Sequence, residues 1–323
     1  MDQTPVKVLR FSTDDYPEHK RIQAYREIYG TIARLDVEPL GDEPFYFDTT
    51  VCSLPGLGLA SSLISPCRRS RGLQHLDSDD LLLGVSLGGG CFTHQLGREA
   101  AASEGEAVLM SSAEPGVVCI PAVGRHLSLR IPNSVFGSKI ADINACVSRK
   151  LPQSAESRLL TGYVGAIWST GALMQPELCG TVVAHIHDLV CLMLGAKDAA
   201  REFAEQRGAR AARRTAVLHE IERRSADPRL SAVGVATLLG LTPRYVHLLL
   251  EDTGKSFTHH VLQRRLDKAA ALLRDPRWDW RKIADIAAEA GFTDLSYFNR
   301  AFRRHYGATP SDIREAAARR RST

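Results

Sequence analysis

Ser296, Asn299, Arg300, Arg303 and Arg304 recur at spacings of three and four within "GFTDLSYFNRAFRRHYGATPSDIR" (291–314). On a helix such positions share one side, and this side offers hydrogen-bond donors and positive charge. Leu295, Phe298, Ala301, Phe302 and Tyr306 share the other, where aromatic rings would anchor the helix to its own domain. A helix divided in this way suits a DNA major groove, with some residues reading base edges and others gripping phosphates. A single copy also fits an amphipathic helix facing solvent, so the pattern needs a second occurrence to carry weight.

Other residues point to other chemistry. "GVSLG" (84–88) matches the G-x-S-x-G pattern of hydrolase nucleophile elbows, with Ser86 as the nucleophile. An elbow needs a strand leading sharply into a helix. Here an apolar strand runs into "GGG" and a second strand-like segment, which predicts a hairpin. His75, His94 and His126 are isolated in sequence, and His185 and His187 fall on different sides of a helix. No metal site and no cofactor are expected. The seven cysteines, Cys52, Cys67, Cys91, Cys119, Cys146, Cys179 and Cys191, are scattered without a CxxC pair. They read as buried apolar residues, with a thiol sensor as the minor alternative.

The elements that must position these residues divide the chain of 323 residues, long enough for two domains. No run of 18 apolar residues is present, and no secretory signal is visible, so a cytoplasmic protein without a membrane span is expected. Residues 215–323 hold 19 Lys plus Arg against 13 Asp plus Glu, a net +6, which leaves 22 against 24, or −2, for the rest. A basic C-terminal third on a slightly acidic body suggests a polyanion as partner of that third.

From about 45 to 132 short apolar runs alternate with Gly-rich and acidic turns, as in "DLLLGVSL", "CFTHQL" and "AVLM", predicting an antiparallel β-barrel. Within it "CRRSR" (67–71) reads as a solvated strand end, or less readily as a source of arginine for an anionic ligand. Helical patterns follow over 132–144, 162–174 and 176–204. In the last, Leu178, Val182, Ile186, Leu189 and Met193 mark a buried face, and Pro176 suits the first turn. The predicted organisation is α+β: a barrel-and-helix domain over 1–204, an Arg-rich linker at 205–214, an all-helical domain over 215–316 and a basic tail at 317–323.

The helical third contains the second occurrence. "VATLLGLTPRYVHLLLEDTG" (235–254) and "IADIAAEAGFTDLSYFNRAFRRHYG" (283–307) each read as a short helix, a Gly turn, a Thr and a second helix ending at Gly. That is the helix-turn-helix arrangement. Gly240 and Gly291 supply the turns, Thr242 and Thr293 the N-caps, and Pro243 a first helical position. "SFTHHVLQRRLDKAAALLRD" joins the units as a helix of roughly 18 residues, about 27 Å long. A rod of that length brings two successive grooves, about 34 Å apart, within reach of one monomer. His259 and His260 lie on this rod, partly exposed, while Trp278 and Trp280 are expected to pack the base of the second unit.

With "GLTPRYVHLLLEDTGKSF", "RRLDKAAALL" and "IADIAAEAGFTDLSYFNRAFRRHYGATPSDIR" at this spacing, residues 215–316 resemble the DNA-binding domain of AraC/XylS-type transcriptional regulators. The first 200 residues resemble, more loosely, the cupin-like effector-binding and dimerising barrel of that family. The resemblance implies a homodimeric regulator, usually an activator, that binds double-stranded promoter DNA, contacts RNA polymerase and answers to a small-molecule effector. It places base contacts at Arg244, His247 and Leu248 in the first unit and at Leu295, Ser296 and Arg300 in the second. Arg300 would pair bidentately with guanine. Thr242, Thr293, Arg303 and Arg304 are placed for phosphates. Leu248 stands where family members often carry Arg, and Leu250 replaces a common Phe but can still fill the core.

Overall fold

Period-two burial shapes the strands of the N-terminal half, where alternate side chains turn to opposite faces. The computed structural model describes residues 7–30, 32–76, 78–137, 139–170 and 175–321. It divides into two compact units between Ala212 and Arg213.

In the first unit, β1 (Lys7–Ser12) pairs with β3 (Phe47–Leu54), after α1 (Glu18–Tyr29) and β2 (Asp36–Pro39) have intervened. The chain continues through β4 (Leu57–Ile64), β5 (Cys67–Arg71), β6 (Leu81–Gly88), β7 (Cys91–Gln95), β8 (Arg98–Ala102), β9 (Ala107–Ser111), β10 (Gly116–Ile120), β11 (Gly124–Ile131) and β12 (Lys150–Leu151). These strands form two antiparallel sheets, ordered β1-β3-β4-β11-β6-β9-β12 and β2-β5-β10-β7-β8. Phe47, Val51, Ala60 and Ile64 of the larger sheet share one core with Val37, Cys67 and Ile120 of the smaller. The inner faces therefore pack on each other. The expected barrel is not closed: no ladder joins the two sheets among the described residues, and the structure is a two-sheet sandwich.

The outer face of the larger sheet is covered by α2 (Ala155–Thr170) and α3 (Pro176–Met193). Leu83, Val85, Leu127 and Leu129 meet Leu160, Val164, Ile186 and Leu189 there. That double covering explains why β4 and β6 read as nearly continuous apolar runs. Val182, Ile186 and Leu189 are buried as the spacing predicted, but Leu178 in the first turn is 40% exposed.

Four further expectations are corrected. The expected barrel starts at about 45, yet β1 and β2 belong to the same sheets and α1 to the same core. Among the described residues of 132–144 the expected helix is replaced by a 3-10 turn at Asn133–Val135. Asn, Ser and Asp side chains compete with helix there by local hydrogen bonding, as when Asp142 Oδ1 accepts from Ala145 N at 3.2 Å. The Arg-rich segment at 205–214 is helical: α4 (Asp198–Ala204) passes through a π-helical turn at Glu205–Ala209 into α5 (Arg210–Arg224). Arg207 donates to both Asp188 carboxylate oxygens at 2.7 and 2.9 Å, and Ala209 and Ala212 are buried. The tail residues 317–321 continue the last helix. Of the helix expected over 162–174, residues 171–174 lie outside the described residues.

The second unit is helical throughout: α6 (Ala232–Leu239), α7 (Pro243–Glu251), α8 (Phe257–Arg274), α9 (Ile283–Glu289), α10 (Leu295–Tyr306) and α11 (Pro310–Arg321). Helix α8 is its spine. Phe257 and Val261, near its start, join Val235, Val246, Leu249 and Leu250 in one core. Leu266, Ala269, Ala270 and Leu273, near its end, join Ile286, Phe292, Phe298 and Phe302 in another.

Candidate nucleic-acid interface

Helices α6 and α7 meet at 101°, within the range of helix-turn-helix pairs. Gly240 makes the turn in the left-handed region at φ 65°, and its N–H caps the Ala236 and Thr237 carbonyls. Thr242 then caps α7, its hydroxyl accepting from Tyr245 N at 3.2 Å, with Pro243 in the first turn. Leu250 fills the core as expected, 1% exposed.

The second unit repeats this plan with one change. Gly291 (φ +95°) makes the turn, and a Cβ there would lie 2.8 Å from the Ala226 carbonyl oxygen. Backbone conformation and close approach both demand glycine. The cap of α10 is Asp294, not Thr293: Asp294 Oδ1 accepts from Tyr297 N at 2.9 Å, and Thr293 is exposed one residue earlier. Aspartate is as good a cap as threonine and adds a charge matched to the helix dipole.

The two helix-turn-helix pairs are tied together at α8. Arg265 donates to the Ser225 carbonyl at 2.8 Å and the Asp227 carbonyl at 3.0 Å, close to where Gly291 meets Ala226. Lys268 Nζ reaches the Glu289 carbonyl at the end of α9 at 2.7 Å. Tyr306 on α10 donates to Asp267 at 2.9 Å, and burial together with that carboxylate pushes its pKa up to about 12.

The outer faces stay open. Arg244, His247 and Leu248 on α7 are exposed, as are Leu295, Ser296, Asn299, Arg300, Arg303 and Arg304 on α10. Leu295, placed by spacing on the aromatic side, is 43% exposed, while Phe298 and Phe302 are fully buried. Arg244, Arg300 and Arg304 make no ion pair or hydrogen bond among the described residues. Several arginines elsewhere in the unit are paired, as Arg223 with Glu220 at 2.8 Å and Arg264 with Glu222 at 3.2 Å. An exposed guanidinium without a partner keeps its donor fork free for phosphate or guanine.

Two exposed aromatics were not read from spacing. Tyr297 is 46% exposed in the first turn of α10. Trp280, expected in the base of the second unit, is 74% exposed, with the Arg281 guanidinium 4.2 Å from its ring centre. Trp278 does pack on the second core. Only its burial separates the two, and "WDW" carries no periodicity to reveal it.

The competing chemistries find no geometry. Ser86 lies in β6 and is 1% exposed, its hydroxyl accepting from Gly90 N at 3.2 Å. The expected hairpin does not form, because the GGG turn carries the chain from β6 in the larger sheet to β7 in the smaller. His126 is its cross-strand neighbour, but no hydrogen bond joins them. His75 contacts Asp36 at 3.1 Å, His185 contacts Tyr163 at 2.8 Å and His187 contacts the Gly56 carbonyl at 2.9 Å. No group of three metal-ligating side chains occurs among the described residues. "CRRSR" is not a solvated strand end: Arg69 and Arg71 are 8% and 5% exposed and turn inward from β5. No single helix is long and apolar enough to cross a membrane among the described residues.

An open donor face on each of two helix-turn-helix units defines a DNA-binding protein. Comparison with known proteins gives the family. Residues 235–316 match the helix-turn-helix domain family and residues 26–195 the AraC-binding-like domain family. The transcriptional activator RhrA of Rhizobium meliloti is 30% identical over 224 residues, 67% of this chain and 68% of that protein. The transcriptional activator NphR of a Rhodococcus species is 26% identical over 235 residues, 70% of this chain and 67% of that protein. The fold is shared with the crystal structure of the AraC-like transcriptional activator CuxR (TM-score 0.50, 15% identity, 88% of this chain and all of that one). The chain belongs to the AraC family of DNA-binding transcriptional regulators.

Proposed function

We propose that this protein is an effector-responsive transcriptional activator that sets α7 and α10 into successive major grooves of promoter DNA. The observation that carries the reading is the pair of outer helix faces, on which Arg244, Arg300 and Arg304 have no protein partner. Arg300 and Ser296 read bases in one groove, with Leu295 beside them, and Arg244, His247 and Leu248 contact bases in the other. Thr242, Thr293, Arg303 and Arg304 hold phosphates. The names of RhrA and NphR support activation, and contact with RNA polymerase follows from that role.

The sandwich serves effector binding and dimerisation, and the effector acts by population shift between arrangements that differ in DNA affinity. The protein works in the cytoplasm and is not an enzyme. Burial pushes the Cys52 and Cys67 thiols up to about 11, which leaves little thiolate at neutral pH and argues against thiol sensing by either.

In-vitro selection from random duplexes tests the reading. The full-length protein is expected to enrich one bipartite sequence, and Arg300→Ala to lose preference at one position of it. Recovery of unrelated sequences by both proteins would reduce the basic unit to a nonspecific polyanion anchor.

A further inference from the structure

Between the two sheets of the first unit lies a cavity of about 70 Å³. Leu82, Val108 and Met110 of the larger sheet and Val118 of the smaller give it apolar walls. Alternation along β5 should turn an apolar face inward here, and it does so at Cys67. The next two inward positions are instead Arg69 and Arg71, both more than nine-tenths buried and both lining the cavity. No Asp or Glu lines it among the described residues.

A guanidinium cannot shed its proton, so this cavity is positive at every accessible pH. Arg69 lies 5.7 Å from the Tyr29 ring centre, and its Nε has no hydrogen-bond partner. From the opposite sheet His126 reaches the same cavity, 6% exposed, and its Nε2 also has no partner. Burial, reinforced by the Arg69 charge, lowers the His126 pKa to about 4, so the ring is neutral and free to share a hydrogen bond. Tyr25 and Tyr29 lie against the Arg69 guanidinium but, among the described residues, no carboxylate does, and a buried cation without a counter-charge is costly to a fold. Here it faces an unpartnered polar atom across apolar walls.

We propose that this cavity takes a small organic acid, with the carboxylate on Arg69 and His126 and the apolar body against Leu82, Val108 and Met110. The assignment rests on the effector-responsive reading above and gives its effector a chemical class. The walls favour an organic acid over an inorganic oxyanion, which would need donors all around. Gly84 supplies part of the space, since a Cβ there would meet nothing closer than the Val108 carbonyl oxygen at 3.9 Å.

Thermal melting of the full-length protein tests this, using monocarboxylates of about three to eight carbons and benzoate, each beside its neutral amide, with sulfate as a further control. At least one acid is expected to raise Tm by several degrees while its amide and sulfate leave it in place. Arg69→Met should abolish the shift. It should melt no lower than the wild type without ligand, since an apolar chain replaces a buried charge that has no counter-ion. Arg69→Lys, which keeps the charge but not the fork, should weaken the acid about tenfold or more. Gly84→Val, which fills the cavity and leaves the charge alone, should also abolish the response.

The assignment is overturned if no acid outperforms its amide, if sulfate matches the acids, or if the shift survives Arg69→Met. A clearly lower ligand-free Tm for Arg69→Met would give Arg69 a structural role and overturn it too. Operator binding is followed in the same samples. Intact selective binding without any acid response removes this inference alone, whereas an acid response in a protein that selects no DNA sequence removes the regulatory reading alone.

Discussion

Helix α7 carries one arginine and one glutamate over nine residues, whereas α10 carries three arginines and no carboxylate over twelve. Their N-termini differ in the opposite sense. The cap of α7 is the neutral Thr242 hydroxyl, so the positive end of the helix dipole remains available to a phosphate. The cap of α10 is the Asp294 carboxylate, which offsets that end. Positive charge is therefore concentrated at the start of the first helix, with Arg244, and toward the end of the second, with Arg300, Arg303 and Arg304. One helix-turn-helix plan thus supports two kinds of grip: contact and shape with little charge in the first unit, charge and bidentate pairing in the second.

Gly291→Ala should break the comparison outright. Positive φ and the 2.8 Å approach to Ala226 act together there, and we expect a loss of about 2–4 kcal/mol of stability. Gly240 has the same sign of φ but nothing within 4 Å of a Cβ, so Gly240→Ala should cost about 1 kcal/mol. Urea unfolding of both variants checks the ranking.

Arg300→Ala should lower affinity for the selected operator by about 1–3 kcal/mol and relax selectivity at one base pair, as measured by competition binding. Arg304→Ala should weaken all sequences alike and reduce the salt slope of binding by about 1. Leu248→Arg should make the first unit more like the second, raising that slope by about 1 with little change in sequence preference. A change in preference instead would make Leu248 a base reader, through contact with a thymine methyl.

Much of the second unit was legible because its signals are local. Helix periodicity located α7, α8 and α10, and Gly240, Thr242 and Pro243 stand where turn and cap chemistry puts them. Thr293 was misassigned because threonine and aspartate are equivalent caps, and only the backbone path selects Asp294. Leu295 fits both faces by spacing, and the first turn of α10 leaves it uncovered.

The first unit was legible in class but not in closure. Strand alternation marks faces, while barrel or sandwich depends on which edges pair at long range. The edge strand β2 has only four residues, and β1 has no clean buried–exposed alternation along its length. The inward turn of Arg69 and Arg71 breaks the apolar-inside rule, so reasoning by that rule sent them to solvent. Such a break is the kind of place where a binding site overrides folding chemistry.

In this mechanism two helices of a single chain read one face of the DNA. Hydroxyl-radical footprinting of the full-length protein on its selected operator measures that directly. We predict two protected windows per chain with centres about 10–10.5 bp apart. Arg300→Ala should fade only one window and Arg244→Ala only the other. A single window, or two that fade together with either substitution, would contradict bipartite recognition.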